Sequence, residues 1–157
     1  MAGYDIMEVC LNGHQITDSA GGNPQRRKPY CPKCGAKTII ACPECHANIQ
    51  GYFHSEYSIS LADTPVPNNC HNCGTAYPWR QAQIAAAIEK LEMALEGQGA
   101  VDVPGLVNDI ATDSPRAELA ALKLKRLLPK IGEAARQVAI EAFSDVASAT
   151  LKKTLGL

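Results

Sequence analysis

Two kinds of hydrophobic patterning divide the chain. From residue 84 onward apolar residues recur at helical spacing. Ile84, Ile88, Leu91 and Leu95 follow i, i+4, i+7, i+11 and form one stripe, ended by Gly97 and Gly99. Val103, Leu106, Val107 and Ile110 share a face of a second, shorter helix that Asp102 opens as N-cap. In "TDSPRAEL" Ser114 caps a third helix and Pro115 takes its first position, where a missing N–H costs nothing. That helix is expected over Pro115 to Leu128, carrying Leu119, Leu122, Leu124, Leu127 and Leu128, and Pro129 ends or kinks it. A fourth is expected from about Lys130 towards Lys152, with Ile131, Val138, Ala142, Phe143 and Val146 among many alanines that let neighbours approach closely. Four such helices make a small bundle and leave an apolar strip for a second subunit to cover.

Before residue 78 no helical period exists. "KTIIA" is β-branched and reads as a strand, and "DTPVPNN" is a Pro/Asn loop. Tyr52, Phe53 and Tyr57 are expected to cover a site in a region with little core of its own. Tyr77, Pro78 and Trp79 form an apolar junction, with Trp79 expected between this region and the first helix, which begins near Arg80.

Seven cysteines explain how so short a region folds. Six form C-x-x-C pairs: Cys31/Cys34, Cys42/Cys45 and Cys70/Cys73. The seventh, Cys10, stands four residues before His14 in "CLNGH", a fourth half-site. Eight ligands make two closed tetrahedral zinc sites, and the odd thiol is accounted for. Pro32 and Pro43 preset the turn inside their pairs, while Gly35, Gly74 and Gly13 supply positive φ at the turn's end. A redox C-x-x-C would stand alone near a βαβ pattern, and a disulfide framework would call for an even count in an oxidising compartment.

Sequential pairing gives Cys10, His14, Cys31 and Cys34 for one ion and Cys42, Cys45, Cys70 and Cys73 for the other. It closes loops over residues 15–30 and 46–69, each long enough for a β-hairpin. The nested alternative joins Cys31/Cys34 to Cys42/Cys45 across "GAKTIIA", and an interleaved cross-brace fits this order poorly. Both zincs are structural, because a catalytic zinc keeps a position open for water or substrate. His46 and His71 adjoin ligand cysteines as solvent-facing or supporting residues, and His54 is also left over.

Composition narrows the class. Of 157 residues, 46% are hydrophobic and 20% charged, a globular balance. The start, "MAGYDIMEVC", has neither the basic region nor the apolar run of a secretory signal, and no apolar stretch reaches the roughly 20 residues that span a bilayer. A cytoplasmic setting is expected. The formal net charge of −1 falls to about −4 once thiolates bind two zinc ions. Its overall field therefore does not draw the chain to nucleic acid. Two local basic runs run against that sign: Arg26, Arg27 and Lys28, and a stripe of Arg116, Lys123, Arg126 and Lys130 at i, i+7, i+10, i+14. They are candidate anion or nucleic-acid contacts.

With "VCLNGH", "YCPKCGAKTIIACPEC", "IQGY" and "CHNCGTAYPWR" in view, the chain resembles a bacterial family of uncharacterised cytoplasmic proteins, a domain of unknown function. In that family a double zinc-ribbon head runs through a "CGxxYPW" junction into a helical tail, and "DIATDSPRAELAALKLKRLLPK" resembles that tail. The resemblance implies the ribbon fold and a bacterial cytosolic setting, with all eight ligands matched, and it implies no activity.

The expectation is an α+β protein: a double zinc-ribbon head over residues 1–78 and an all-α tail over residues 79–157, with two structural zinc ions. Its function reads as a non-enzymatic adaptor whose head recognises a protein and whose tail self-associates or docks. The alternative is a nucleic-acid-binding regulator using the two basic runs.

Overall fold

The computed structural model describes residues 2–156 and is mixed α+β, with two small sheets and five helices among those residues. The chain divides into two compact units, residues 1–81 and 82–157.

The first unit is built on short antiparallel pairings. Strand β1 (Gly3–Ile6) pairs with β5 (Gln50–His54). Strand β2 (Glu8–Cys10) lies between β3 (Gln15–Thr17) and β4 (Thr38–Ile39). As the central strand, β2 is buried at all three positions, including the carboxylate of Glu8. That carboxylate accepts from Thr38 Oγ1 at 2.8 Å and from the Lys28 N–H at 3.2 Å, and it lies 3.7 Å from Arg27. The hydrogen bonds offset the cost of removing a charge from water. The "KTIIA" segment is strand as expected, reduced to the two residues of β4.

A second buried carboxylate organises the β1–β5 sheet. Asp5 accepts from the N–H groups of Ile6, Gly21 and Gly22 and faces His54 Nε2 at 3.4 Å. Burial alone raises its pKa, but these donors outweigh it and hold the carboxyl below its ordinary value. Gly51 is fixed by crowding, since a Cβ there would collide with the Asp18 carbonyl. The apolar core is small: Met7, Val9, Ile49, Tyr77, Trp79 and two cysteines, Cys42 and Cys70.

The second unit takes in most of α1 (Pro78–Ala94), with α2 (Val103–Ala111), α3 (Ala117–Leu127), α4 (Glu133–Val146) and α5 (Ala149–Leu155). Helix α2 packs on α3 and α4, and α3 on α5, around Leu91, Val107, Ile110, Leu124, Phe143 and Val146. Alanines 87, 120, 121, 139 and 142 are almost fully buried, so close approach is what the alanine-rich sequence provides. Lys90 of α1 meets Asp145 of α4 at 2.8 Å.

Some helix ends match the sequence expectation and others differ from it. Asp102 caps α2 as expected, accepting from Gly105 N at 3.0 Å. Helix α3 starts two residues late, because Ser114 spends its hydroxyl on the Arg116 N–H and its carbonyl on Ala117, closing a turn first. Pro129 tightens the end of α3 into a 3-10 turn over Leu128–Lys130, held by Arg136 donating to the Leu128 carbonyl at 3.1 Å. The fourth expected helix is two. Ala147 turns extended and Ser148 caps α5 by accepting from Leu151 N at 3.3 Å. No glycine or proline marks that break, so the pattern alone did not reveal it.

Candidate metal centre

The local repeat of the cysteine turns is the basis of the site. In each C-x-x-C the first cysteine's carbonyl accepts from the N–H four residues on: Gly35 to Cys31, His46 to Cys42 and Gly74 to Cys70, all at 2.8–2.9 Å. Its N–H donates to the carbonyl five residues on, at Ala36, Ala47 and Thr75. A β-bridge closes each knuckle: Tyr30 with Lys37, Ala41 with Asn48, and Asn69 with Ala76. The fourth half-site is a shorter version, with Gly13 N donating to the Cys10 carbonyl and Cys10 N to that of His14. The turn-ending residue has positive φ in every case: Gly13 at 88°, Gly35 at 75°, Gly74 at 76° and His46 at 64°. His46 is thus the third knuckle's counterpart of a glycine, and its exposed ring points away from any ligand role.

These turns bring the eight side chains into two groups, Cys10, His14, Cys31, Cys34 and Cys42, Cys45, Cys70, Cys73, each with its donor atoms within 4.8 Å of one another. The partition is the sequential one. An ion held tetrahedrally about 2.3 Å from sulfur and 2.0–2.1 Å from nitrogen sets sulfurs about 3.8 Å apart and sulfur and nitrogen about 3.6 Å apart. The sulfur pairs Cys10/Cys34, Cys42/Cys73 and Cys45/Cys70 are 3.7, 3.7 and 3.6 Å apart. His14 Nδ1 lies 3.5 Å from Cys10 Sγ and 3.7 Å from Cys31 Sγ. A disulfide would need about 2.05 Å. The donors therefore surround a space of metal-ion size, and each group can hold one ion.

Electrostatics points the same way. A thiol pKa of about 6 at Cys34 arises chiefly from the Ala36 N–H, with Asn12, His14 and Cys10 adding to it. Cys70 is likewise drawn down to about 6 by the N–H groups of Cys73 and Asn72. Their neighbours go the other way. At Cys42 the Cys45 N–H pulls down, but burial and the Cys73 and Cys70 sulfurs push the thiol up to about 11. Cys10 is raised mainly by burial. Four crowded sulfurs cannot all carry charge without a cation among them, and a bound divalent ion removes that conflict.

The supporting residues differ between the groups. Asn12 Nδ2 donates to Cys34 Sγ at 3.4 Å, and the His14 N–H to Cys10 Sγ at 3.3 Å. At the other group Tyr77 is buried beside Cys70. Burial and that sulfur's demand for a hydrogen bond hold its hydroxyl well above the ordinary tyrosine pKa. Trp79 stacks on Tyr77 at 4.7 Å between ring centroids, donates from Nε1 to the Pro67 carbonyl at 3.0 Å, and lies against Gly13, where an added Cβ would sit 3.0 Å from its own. The "YPW" junction thus serves as the aromatic cover. Phe53 and Tyr57, expected in that role, are exposed instead: β5 presents Phe53 to the outside against Tyr4, and Tyr57 lies beyond the end of β5.

The basic residues fall apart as a helical stripe. Arg116 precedes α3 and is paired with Asp109 at 3.2 Å, and Lys130 lies in the 3-10 turn. Arg116, Lys123 and Arg126 line a cavity of about 760 Å³ between α2 and α3, whereas Lys130 does not. Arg26, Arg27 and Lys28 lie in and after a 3-10 turn over Pro24–Arg26, all exposed. Sequence reasoning missed Asn12, the Tyr77 hydroxyl and Lys33 and Lys37 beside the first group. For the two lysines the signal was present, since no acidic residue stands between Asp18 and Glu44.

No helix among the described residues is long and apolar enough to cross a membrane. No curated protein and no solved structure matches the chain. One family model does, over residues 3–155, and its description is "Uncharacterized protein conserved in bacteria". With nearly its whole length matched, the chain belongs to that family of uncharacterised bacterial proteins (DUF2321).

Proposed function

We propose that this is a non-enzymatic, zinc-binding adaptor of the bacterial cytoplasm, with a double zinc-ribbon first unit that recognises a protein and a helical second unit that self-associates. The observation that carries the reading is the pair of closed four-donor groups, whose spacings of 3.5–3.7 Å fit zinc with four protein ligands and no position left for substrate. Zinc is the ion that thiolate and imidazole donors in a tetrahedron select, and free thiols persist in a reducing compartment. Support for protein recognition comes from Tyr57, Ile59 and Leu61, alternate residues exposed to 95%, 85% and 96%. Apolar surface of that extent next to polar residues is characteristic of contact sites. Support for self-association comes from Leu119 and Leu122, neighbours on α3 that remain 48% and 44% exposed.

The test is elemental analysis of the purified chain together with its absolute mass by light scattering. Two zinc ions per chain in a stable oligomer is the expected result. One ion or fewer removes the closed double site. A monomer removes the role of the second unit, and Leu119→Glu with Leu122→Glu should convert the oligomer to a monomer without loss of zinc.

A further inference from the structure

The surface around the first cysteine/histidine group is unlike the rest of its unit. Residues 19–43 contain Arg26, Arg27, Lys28, Lys33 and Lys37 and no aspartate or glutamate. Residues 1–81 hold one other basic residue, Arg80, which is buried. Every exposed lysine and arginine among the described residues of the unit is therefore in one twelve-residue hairpin. The acid that reaches this hairpin is Glu8, which is buried, stands 3.7 Å from Arg27 and takes the Lys28 N–H. The side chains of Arg26, Lys28, Lys33 and Lys37 have no ion-pair partner among the described residues, and all four are exposed.

An aromatic ring stands among these charges. Tyr30 is 63% exposed and bridged antiparallel to Lys37, which sets the two residues directly opposite each other across the hairpin. Leu11, also partly exposed, donates its N–H to the Lys37 carbonyl at 3.0 Å. The scaffold beneath is fixed. The Thr38 hydroxyl shares its single proton between the Glu8 carboxylate and the Lys28 carbonyl, at 2.8 and 2.6 Å, the Thr38 N–H donates to the Pro29 carbonyl, and the Cys31–Cys34 knuckle closes the turn.

We propose that this hairpin, residues 26–37, is a binding face for single-stranded nucleic acid, with Arg26, Lys28, Lys33 and Lys37 contacting phosphates and Tyr30 stacking on a base. Cations alone would suit any polyanion. The exposed ring beside Lys37 adds what an acidic peptide does not use and an unpaired base does, a flat apolar partner among phosphate contacts. A duplex offers this surface less, because its bases are stacked internally and the hairpin presents no helix to a major groove. The face is distinct from the Tyr57–Leu61 stretch, and its ligand does not depend on which metal the cysteines hold.

The experiment is a fluorescence-anisotropy titration of the full chain, as purified and with its metal content measured, into a labelled 15-nucleotide oligothymidylate. The same-length RNA, a DNA duplex and a 15-residue polyglutamate serve as comparison probes. Four phosphate contacts on a single strand predict a salt slope near −3, or about 50-fold weaker binding from 50 to 200 mM salt. Lys33→Ala with Lys37→Ala should lower that slope by about 1.4, and Tyr30→Ala should weaken binding about tenfold at every salt concentration while Tyr30→Phe retains it. Zinc content and circular dichroism establish that each variant is folded. Absence of saturable binding at 50 mM salt overturns the proposal. So does equal affinity for polyglutamate or duplex with no effect of Tyr30→Ala, which would make this a general anion face.

Discussion

The two cysteine groups use the same backbone turns for opposite purposes. In the second group Cys42 and Cys70 are part of the apolar core, packed with Met7, Val9, Ile49, Tyr77 and Trp79. Its surroundings include Glu44 and no lysine or arginine from residue 38 to residue 79. The first group lies outside that core. Its burial is the same as that of the second group, with one exposed sulfur in each (Cys34 and Cys73), but its Cys34 sulfur is supported by the polar Asn12, and its hairpin carries every exposed lysine and arginine among the described residues of the unit. A metal-binding turn fixes backbone geometry locally, so what surrounds it is free to vary. Two equally buried groups thus have different neighbours, an apolar cluster around one and basic side chains around the other.

The sharpest way to break that comparison is to remove one ligand from each group. Cys42→Ser takes a sulfur from the core, and losing the ion there should unfold the first unit, since structural zinc contributes about 10 kcal/mol or more to small domains. The near-ultraviolet signal of the Tyr77–Trp79 stack should vanish while the far-ultraviolet helical signal of the second unit persists. Cys34→Ser should lose one equivalent of metal and keep the stack. Equal collapse of the stack in both variants would show that the groups form one cooperative structure.

A smaller effect sharpens it. Tyr77→Phe removes the hydroxyl beside Cys70, and loss of such a supporting donor weakens metal binding by about 10–100-fold. Competition with a chelator should show one of the two ions leaving earlier, with the first group unaffected. Two ions leaving together would contradict independent support.

Asp5 calibrates both, because its contribution does not involve metal. Its pKa is lowered in the fold, so its stabilisation is complete above the ordinary carboxylate value near 4 and is lost as pH falls through the depressed one. Asp5→Asn should cost about 1–2 kcal/mol at pH 7 by denaturant titration, and the difference from the parent should shrink below about pH 4. A difference independent of pH would mean that the carboxylate's charge plays no part.

The smallest effect concerns His46, whose φ of 64° a glycine adopts freely. His46→Gly should be neutral or stabilising by up to about 1 kcal/mol, measured by thermal unfolding, because the strain removed outweighs the added chain entropy. A clear loss of stability would assign the imidazole a structural contact.

The eight candidate donors were legible because their chemistry is local. A C-x-x-C with proline inside and glycine after it specifies its own turn, and four half-sites in order leave few pairings. Helices α1 and α2 were legible for the same reason, with periodic apolar stripes and, at Asp102, a capping side chain three residues from the N–H it accepts. Local signals failed where distant residues decide the outcome. At Ala147 the local signal is a single serine, Ser148, which caps α5 in a segment with no glycine or proline, while Val146 and Leu151 on either side of the break are both buried. The aromatic cover went to Tyr77 and Trp79 rather than to Tyr52, Phe53 and Tyr57, because β5 pairs with β1 and presents Phe53 to solvent.

Residue order alone was enough to pick out the eight candidate donors, the helical character of the second half and the absence of acids from residues 19–43. Which donors meet, which group joins the apolar cluster and that Tyr30 stands opposite Lys37 became visible in the folded chain. The reason is physical. Turn chemistry, periodicity and charge act over a few residues along the chain, whereas burial and cross-strand neighbours arise only when segments tens of residues apart come together.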